Sequence, residues 1–164
     1  MIILLMGVAA SGKSTVGRAL AERLGWKFVD GDDLHPETNV ARMRDGHPLH
    51  DAEREPWLNK IAQKMDDLLA ENDCAVVACS ALKEAYRRRL LKPGVALVYL
   101  RVTPQDAEHR AISRRHAYMP PSLVASQFDT LEEPEKTLIT VDASRPVAQI
   151  VNDIAALVET HEQR

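Results

Sequence analysis

Gly7-Val8-Ala9-Ala10-Ser11-Gly12-Lys13-Ser14, with Thr15 directly after it, is the stretch that decides the fold. It fits the pattern G-x-x-x-x-G-K-[ST], in which glycines and small residues let backbone N–H groups close around phosphate oxygens. Its flanks are what such a loop needs. Ile2-Ile3-Leu4-Leu5-Met6 is a short, wholly apolar run, as expected of a parallel strand buried on both faces. Behind the loop, Val16, Ala19, Leu20 and Leu24 recur at helical spacing, with Arg18, Glu22 and Arg23 off that face. A helix beginning near Lys13 adds unpaired N–H groups and the positive end of its dipole. Lys13 is then expected to reach the β- and γ-phosphates, and the Ser14 hydroxyl to bind Mg²⁺. A chance pair of glycines in a surface loop would lack the strand before it and the helix after it. Residues 7–15 are therefore read as a nucleoside-triphosphate site.

Composition narrows the class. The chain has 164 residues, the size of one domain with a real core. Its net charge of −3 gives no support for a general nucleic-acid binder. No apolar run approaches the ~20 residues of a membrane span, and the N-terminal run leads straight into the loop rather than to a cleavage site. Cys74 and Cys79 bracket one apolar run and, in an extended strand, lie too far apart to bridge. Buried free thiols in a reducing cytoplasm are the plain reading.

Along the chain, strand and helix signals alternate. Residues 26–29, 74–79, 95–102 and 137–141 read as further strands. Residues 36–45, 55–71, 82–91, 103–115, 120–131 and 146–161 read as helices. Five strands with intervening helices imply a parallel sheet wrapped on both faces, a three-layer α/β/α arrangement with ligands at the carboxyl ends of the strands. That rule points to Asp30-Gly31-Asp32-Asp33 after the second strand. An enzyme that uses ATP needs one carboxylate near the metal and another to orient or deprotonate the attacking hydroxyl. Asp30 and Asp32 suit those tasks, whereas Asp33 reads as a cap for the helix that follows Pro36.

Other triphosphate-binding classes leave different marks. The one Asn-Lys pair, in Asn59-Lys60-Ile61-Ala62, lacks the aspartate of a guanine-reading motif, and no Asp-x-x-Gly switch occurs. The third strand ends Ala78-Cys79-Ser80 without an acidic residue. A switch or motor is disfavoured, and a small-molecule kinase remains.

At this point the chain resembles the gluconate kinases, relatives of shikimate kinase within the nucleoside-monophosphate-kinase-like group. The matching stretches are Gly7 to Thr15, Asp30-Gly31-Asp32-Asp33-Leu34-His35-Pro36 with Asn39, and Gly46-His47-Pro48-Leu49. They continue with Asp51, Arg54, Pro56-Trp57-Leu58, Cys79-Ser80-Ala81-Leu82-Lys83 with Tyr86-Arg87, and Gln127-Phe128-Asp129-Thr130-Leu131-Glu132. The resemblance implies a single P-loop kinase domain over 1–164, with a five-stranded parallel sheet, an acceptor-side helical insertion at about 36–71 and a mobile lid at about 114–122. It implies ATP-dependent phosphorylation of D-gluconate to 6-phosphogluconate with Mg²⁺, in a homodimer, while the composition adds the expectation of a cytoplasmic protein with no nucleic-acid or membrane partner. Asp32 then looks like the residue that activates the acceptor hydroxyl, Asp30 an outer-shell partner of the metal beside Ser14, and Lys13 and Arg114 catalytic cations. Arg110 or Arg114 would touch the nucleotide phosphates. The family's lid usually carries a histidine followed by an aromatic and a methionine. Here it reads His116-Ala117-Tyr118-Met119, with the histidine displaced by one position.

Gluconate is a small polyol with one carboxylate, so its site needs a cation and several hydrogen-bonding groups. Arg54, Lys83, Arg87, His35 and Ser80 are the candidates. Each has a bland alternative. Arg87-Arg88-Arg89 is one turn of charge of which at least two must face solvent, and Arg54 could be a surface ion-pair partner. Two other readings stand beside this one: a kinase for another small acceptor, such as a related sugar acid or shikimate, and a nucleotide-binding regulatory module without chemistry. The Asp30/Asp32 pair speaks against the module.

Overall fold

A computed structural model describes residues 1–113 and 120–163 of the chain. At its centre lies β1 (Ile2–Met6), between β3 (Ala75–Ala78) and β4 (Val95–Arg101). The edges are β2 (Lys27–Asp30) and β5 (Ile139–Asp142), giving the order β2-β3-β1-β4-β5 with every pairing parallel. Period-two alternation divides the apolar residues of β1 between two cores. Ile3 and Leu5 join Val76, Val98 and Leu100 on one face, whereas Ile2, Leu4 and Met6 join Val77 and Tyr99 on the other. A strand apolar at every position is what a two-sided sheet requires of its middle.

The first face is covered by α1 (Lys13–Leu24) and α7 (Val147–Glu162), through Val16, Leu20, Ile150, Ile154 and Val158. Ala107 and Ala111 of α5 (Pro104–Ser113) complete it, and the Thr103 hydroxyl caps that helix by accepting from the Asp106 N–H at 3.1 Å. The second face is covered by α3 (Asp51–Ala70) and α4 (Glu84–Leu90), with Trp57, Leu58, Ile61, Met65 and Leu68 in a helical stripe. Burying side chains of this size contributes about 1.5–3 kcal/mol each. Two short helices, α2 (Glu37–Arg44) and α6 (Val124–Thr130), flank the carboxyl ends of the strands. Met43, Leu49 and Leu123 form a small third apolar cluster between them.

Three local expectations are corrected. Helix α3 begins at Asp51 rather than Glu55, because the Glu53 carboxylate accepts from the His50 N–H at 3.0 Å and starts the helix a turn before Pro56. Helix α4 begins at Glu84 rather than Leu82, because Lys83 is extended, with φ −99 and ψ 147, and serves as the residue before the first turn. Asp33 does not cap α2. A 3-10 turn, Gly31–Leu34, intervenes and is capped by Asp30, while Pro36 precedes the helix and Asp33 stays exposed. Of the proposed lid at about 114–122, residues 114–119, with Arg114 and His116, lie outside the described residues.

Candidate active site

The chain runs from β1 outward to β2 on one side and later to β4 on the other, so the carboxyl end of β1 borders a topological switch point. The loop that follows β1 is tight. A Cβ on Gly7 would stand 2.9 Å from the Leu100 carbonyl oxygen and 2.6 Å from Ser11 Oγ, so no larger residue fits. Gly12 takes φ 95 at the start of α1, and Ala10 takes φ 63 without being glycine. Lys13 Nζ donates to the Val8 carbonyl at 2.9 Å, folding the ammonium over the loop. Ser14 Oγ donates to Asp30 Oδ2 at 2.7 Å, and Asp30 Oδ1 accepts from the Asp32 N–H at 3.0 Å. Asp30 thus ties the loop to the acidic turn that carries Asp32.

One cavity joins the two. It is lined by Ala9, Ala10, Gly12, Lys13 and Ser14 from the loop, and by Asp32, His35, Arg54 and Ser80 from the acceptor side. Val8 and Ser11 are buried beneath the loop and Thr15 is exposed. The turn holding Asp32 is pressed against the sheet, since a Cβ on Gly31 would lie 2.5 Å from the Ala78 carbonyl oxygen. Trp57 Nε1 donates to the Gly31 carbonyl at 2.7 Å and stacks its ring on His35, with centroids 4.2 Å apart and planes at 11°. Burial, reinforced by the Arg54 guanidinium, pushes the His35 imidazole down to about 4, so it is neutral at physiological pH. Arg54 is only 8% exposed and donates to Tyr86 Oη at 2.9 Å. Tyr86 in turn donates to Asp51.

Other expected contributors lie apart from this cavity. Lys83 pairs with Asp51 at 3.0 Å, outside the lining. Arg87, 1% exposed, is a strut instead of a cavity cation. Its Nη1 donates to the Ala81 and Leu82 carbonyls at 2.8 and 3.0 Å, its Nη2 to the Glu132 carbonyl at 2.8 Å, and its Nε and Nη2 to Glu84. All five N–H donors are taken up, by three carbonyls and one Glu84 carboxylate oxygen, which leaves none for a ligand. Arg110 reaches the phosphate loop from its carbonyl side, donating to Ser11 at 3.1 Å and to the Ala143 carbonyl at 2.6 Å.

The sequence reading missed Gln127 and Ser126, which line the cavity from α6, and the apolar rim of Met43, Pro48, Leu49 and Leu123. Gln127 Oε1 accepts from the Ala9 N–H at 3.3 Å. Its signal was its place at the head of Gln-Phe-x-Thr-Leu-Glu. The last residue of that stretch, Glu132, caps α4 by accepting from the Glu84 N–H at 2.8 Å.

The paired oxygens of Ser14 and Asp30 suit a hard cation. Among the described residues no group of three His, Cys, Asp or Glu side chains would hold a metal alone. Chemically, the cavity offers cationic and N–H groups for phosphates at the loop, a carboxylate beside them, and a guanidinium with an imidazole further along.

The model of the shikimate kinase family matches residues 9–156. A probable gluconokinase of Xenopus tropicalis is 37% identical over 97% of this chain and 94% of that protein. The thermoresistant gluconokinase of Escherichia coli K12 is 36% identical over 92% and 89%. Among solved structures, a gluconokinase from Sinorhizobium meliloti 1021 superposes with a TM-score of 0.84 at 40% identity, over 98% of this chain and 93% of that one.

Proposed function

The chain belongs to the gluconokinases within the shikimate kinase family, and from this we infer that it transfers the γ-phosphoryl group of ATP to D-gluconate, giving 6-phosphogluconate. The observation that carries the reading to this chain is the single cavity in which Lys13 and Ser14 meet Asp32, His35 and Arg54. A phosphate site and a polyol-acid site open into one another there.

Phosphoryl transfer is mostly positioning and charge neutralisation. In the proposed mechanism the N–H groups of residues 7–15 and Lys13 hold the triphosphate. Ser14 would hold Mg²⁺ with Asp30 as its outer-shell partner, and the ion would supply charge neutralisation on the phosphate oxygens. Asp32 orients the acceptor hydroxyl and takes its proton as the oxygen attacks. Arg54 binds the carboxylate, and His35 and Ser80 bind oxygens of the sugar chain. Arg110 steadies the loop from behind, and Arg114 is retained as a cation for the nucleotide phosphates. Lys83 is proposed at the outer edge of the acceptor site, and Arg87 holds the loop that carries Ser80. The working unit is proposed to be a cytoplasmic homodimer, which light scattering of the purified protein would check.

The test is coupled ADP release with Mg-ATP against D-gluconate, L-idonate, shikimate, AMP and water. Saturable turnover with gluconate well above water is expected. Turnover only with another acceptor would move the substrate assignment, and nucleotide binding without acceptor-dependent turnover would leave a regulatory module.

A further inference from the structure

Asn39 is buried, 4% exposed, one helical turn beyond His35. Its side-chain nitrogen Nδ2 lies 2.9 Å from the Glu53 carbonyl oxygen and 3.3 Å from His35 Nδ1. A backbone carbonyl only accepts hydrogen bonds, so the atom facing it is the amide nitrogen and the orientation of the amide is fixed. One N–H serves Glu53 and the second is left for His35 Nδ1, which must present its lone pair. A neutral imidazole carries one ring proton, and with Nδ1 accepting, that proton sits on Nε2. The stack on Trp57 holds the ring plane, and the Trp57 bond to Gly31 holds Trp57.

We propose that Asn39 is a positioning residue that fixes His35 as its Nε2–H tautomer, so that the acceptor site receives a neutral hydrogen-bond donor for an oxygen of the sugar acid. The proposal rests on the assignment of this cavity to gluconate. Two consequences separate it from a packing role for Asn39. The opposite tautomer would offer the cavity a lone pair, which a carboxylate oxygen repels and only a hydroxyl can satisfy. With Arg54 in the same cavity, an Nε2–H gives that end two donors, suited to the oxygen-rich end of a polyhydroxy acid.

Long-range ¹H–¹⁵N correlation spectra of histidine-labelled protein read the tautomer directly, with His35 assigned by the signal lost in His35→Gln. The wild-type protein is expected to show a protonated Nε2 and a bare Nδ1. In Asn39→Asp the introduced carboxylate accepts instead of donating, so the proton should move to Nδ1. The KM for gluconate should rise about tenfold, the value of one lost hydrogen bond, with the KM for ATP unchanged. A protonated Nδ1 in the wild type would overturn the proposal even if the variant failed to fold, as would an unchanged tautomer and KM in a folded variant. Absence of gluconate turnover by the wild type would sink the substrate assignment alone, and the spectrum would still decide what Asn39 does to the ring.

Discussion

Asp32→Asn keeps the shape of the side chain and removes its basicity. If Asp32 takes the proton of the acceptor hydroxyl, kcat should fall by about 10²–10⁴-fold. Titration with a non-hydrolysable ATP analogue should give unchanged affinity, because the loop residues that hold the phosphates are untouched. Normal turnover would remove Asp32 from the chemistry. Arg87 makes the complementary case. Arg87→Lys keeps the charge but cannot reproduce a planar fork that satisfies the Ala81, Leu82 and Glu132 carbonyls together. A loss of about 2–4 kcal/mol in urea unfolding is expected, since buried acceptors lose their partner. A raised KM for gluconate at full stability would instead restore Arg87 as a ligand. Nothing local in Arg87-Arg88-Arg89 distinguishes the three. Ala81, Leu82 and Glu84 lie close in sequence, but the Glu132 carbonyl that completes the set is 45 positions away and only the fold brings it within reach.

Among the elements, those whose signal is local were legible: β1 and β3 from unbroken apolar runs, the phosphate loop from its spacing, and α5 from its Thr103 cap. Those set by tertiary contacts were not. The apolar spacing placed the start of α3 at Glu55, but the start is made one turn earlier by Glu53, and the acidic turn is shaped by the sheet beneath it. Gly31→Ala tests that last point. Its new Cβ would sit 2.5 Å from the Ala78 carbonyl oxygen, against backbone that cannot swing aside. The turn must shift, disturbing both the Trp57 bond and the placement of Asp32. A destabilisation of about 1–3 kcal/mol is expected in denaturant unfolding, together with reduced kcat. A variant with wild-type stability and turnover would mean that the turn is not pressed on the sheet as described.

For the whole molecule, the sheet and its helices put a histidine where it cannot take up a proton without cost, and global stability must register it. Unfolded, the His35 imidazole protonates near 6.5; folded, burial and the facing Arg54 delay this to about 4. Between those values the unfolded chain binds more protons than the folded one, so stability falls as pH drops, by about 1.4 kcal/mol per pH unit for one such group. Above 6.5 both states hold the ring neutral and nothing changes; below about 4 both are protonated and the loss has levelled off, at about 3 kcal/mol. His35→Gln removes this linkage and leaves every other titrating group in place. Urea unfolding of the two proteins at neutral pH and at steps down to pH 5 should therefore give a stability difference that is flat at the top of the range. On acidification it should then move steadily in favour of the variant. A difference that stayed constant down to pH 5 would mean that His35 takes its proton in the folded protein as readily as in the unfolded chain. The neutral imidazole on which the acceptor site depends would then be lost.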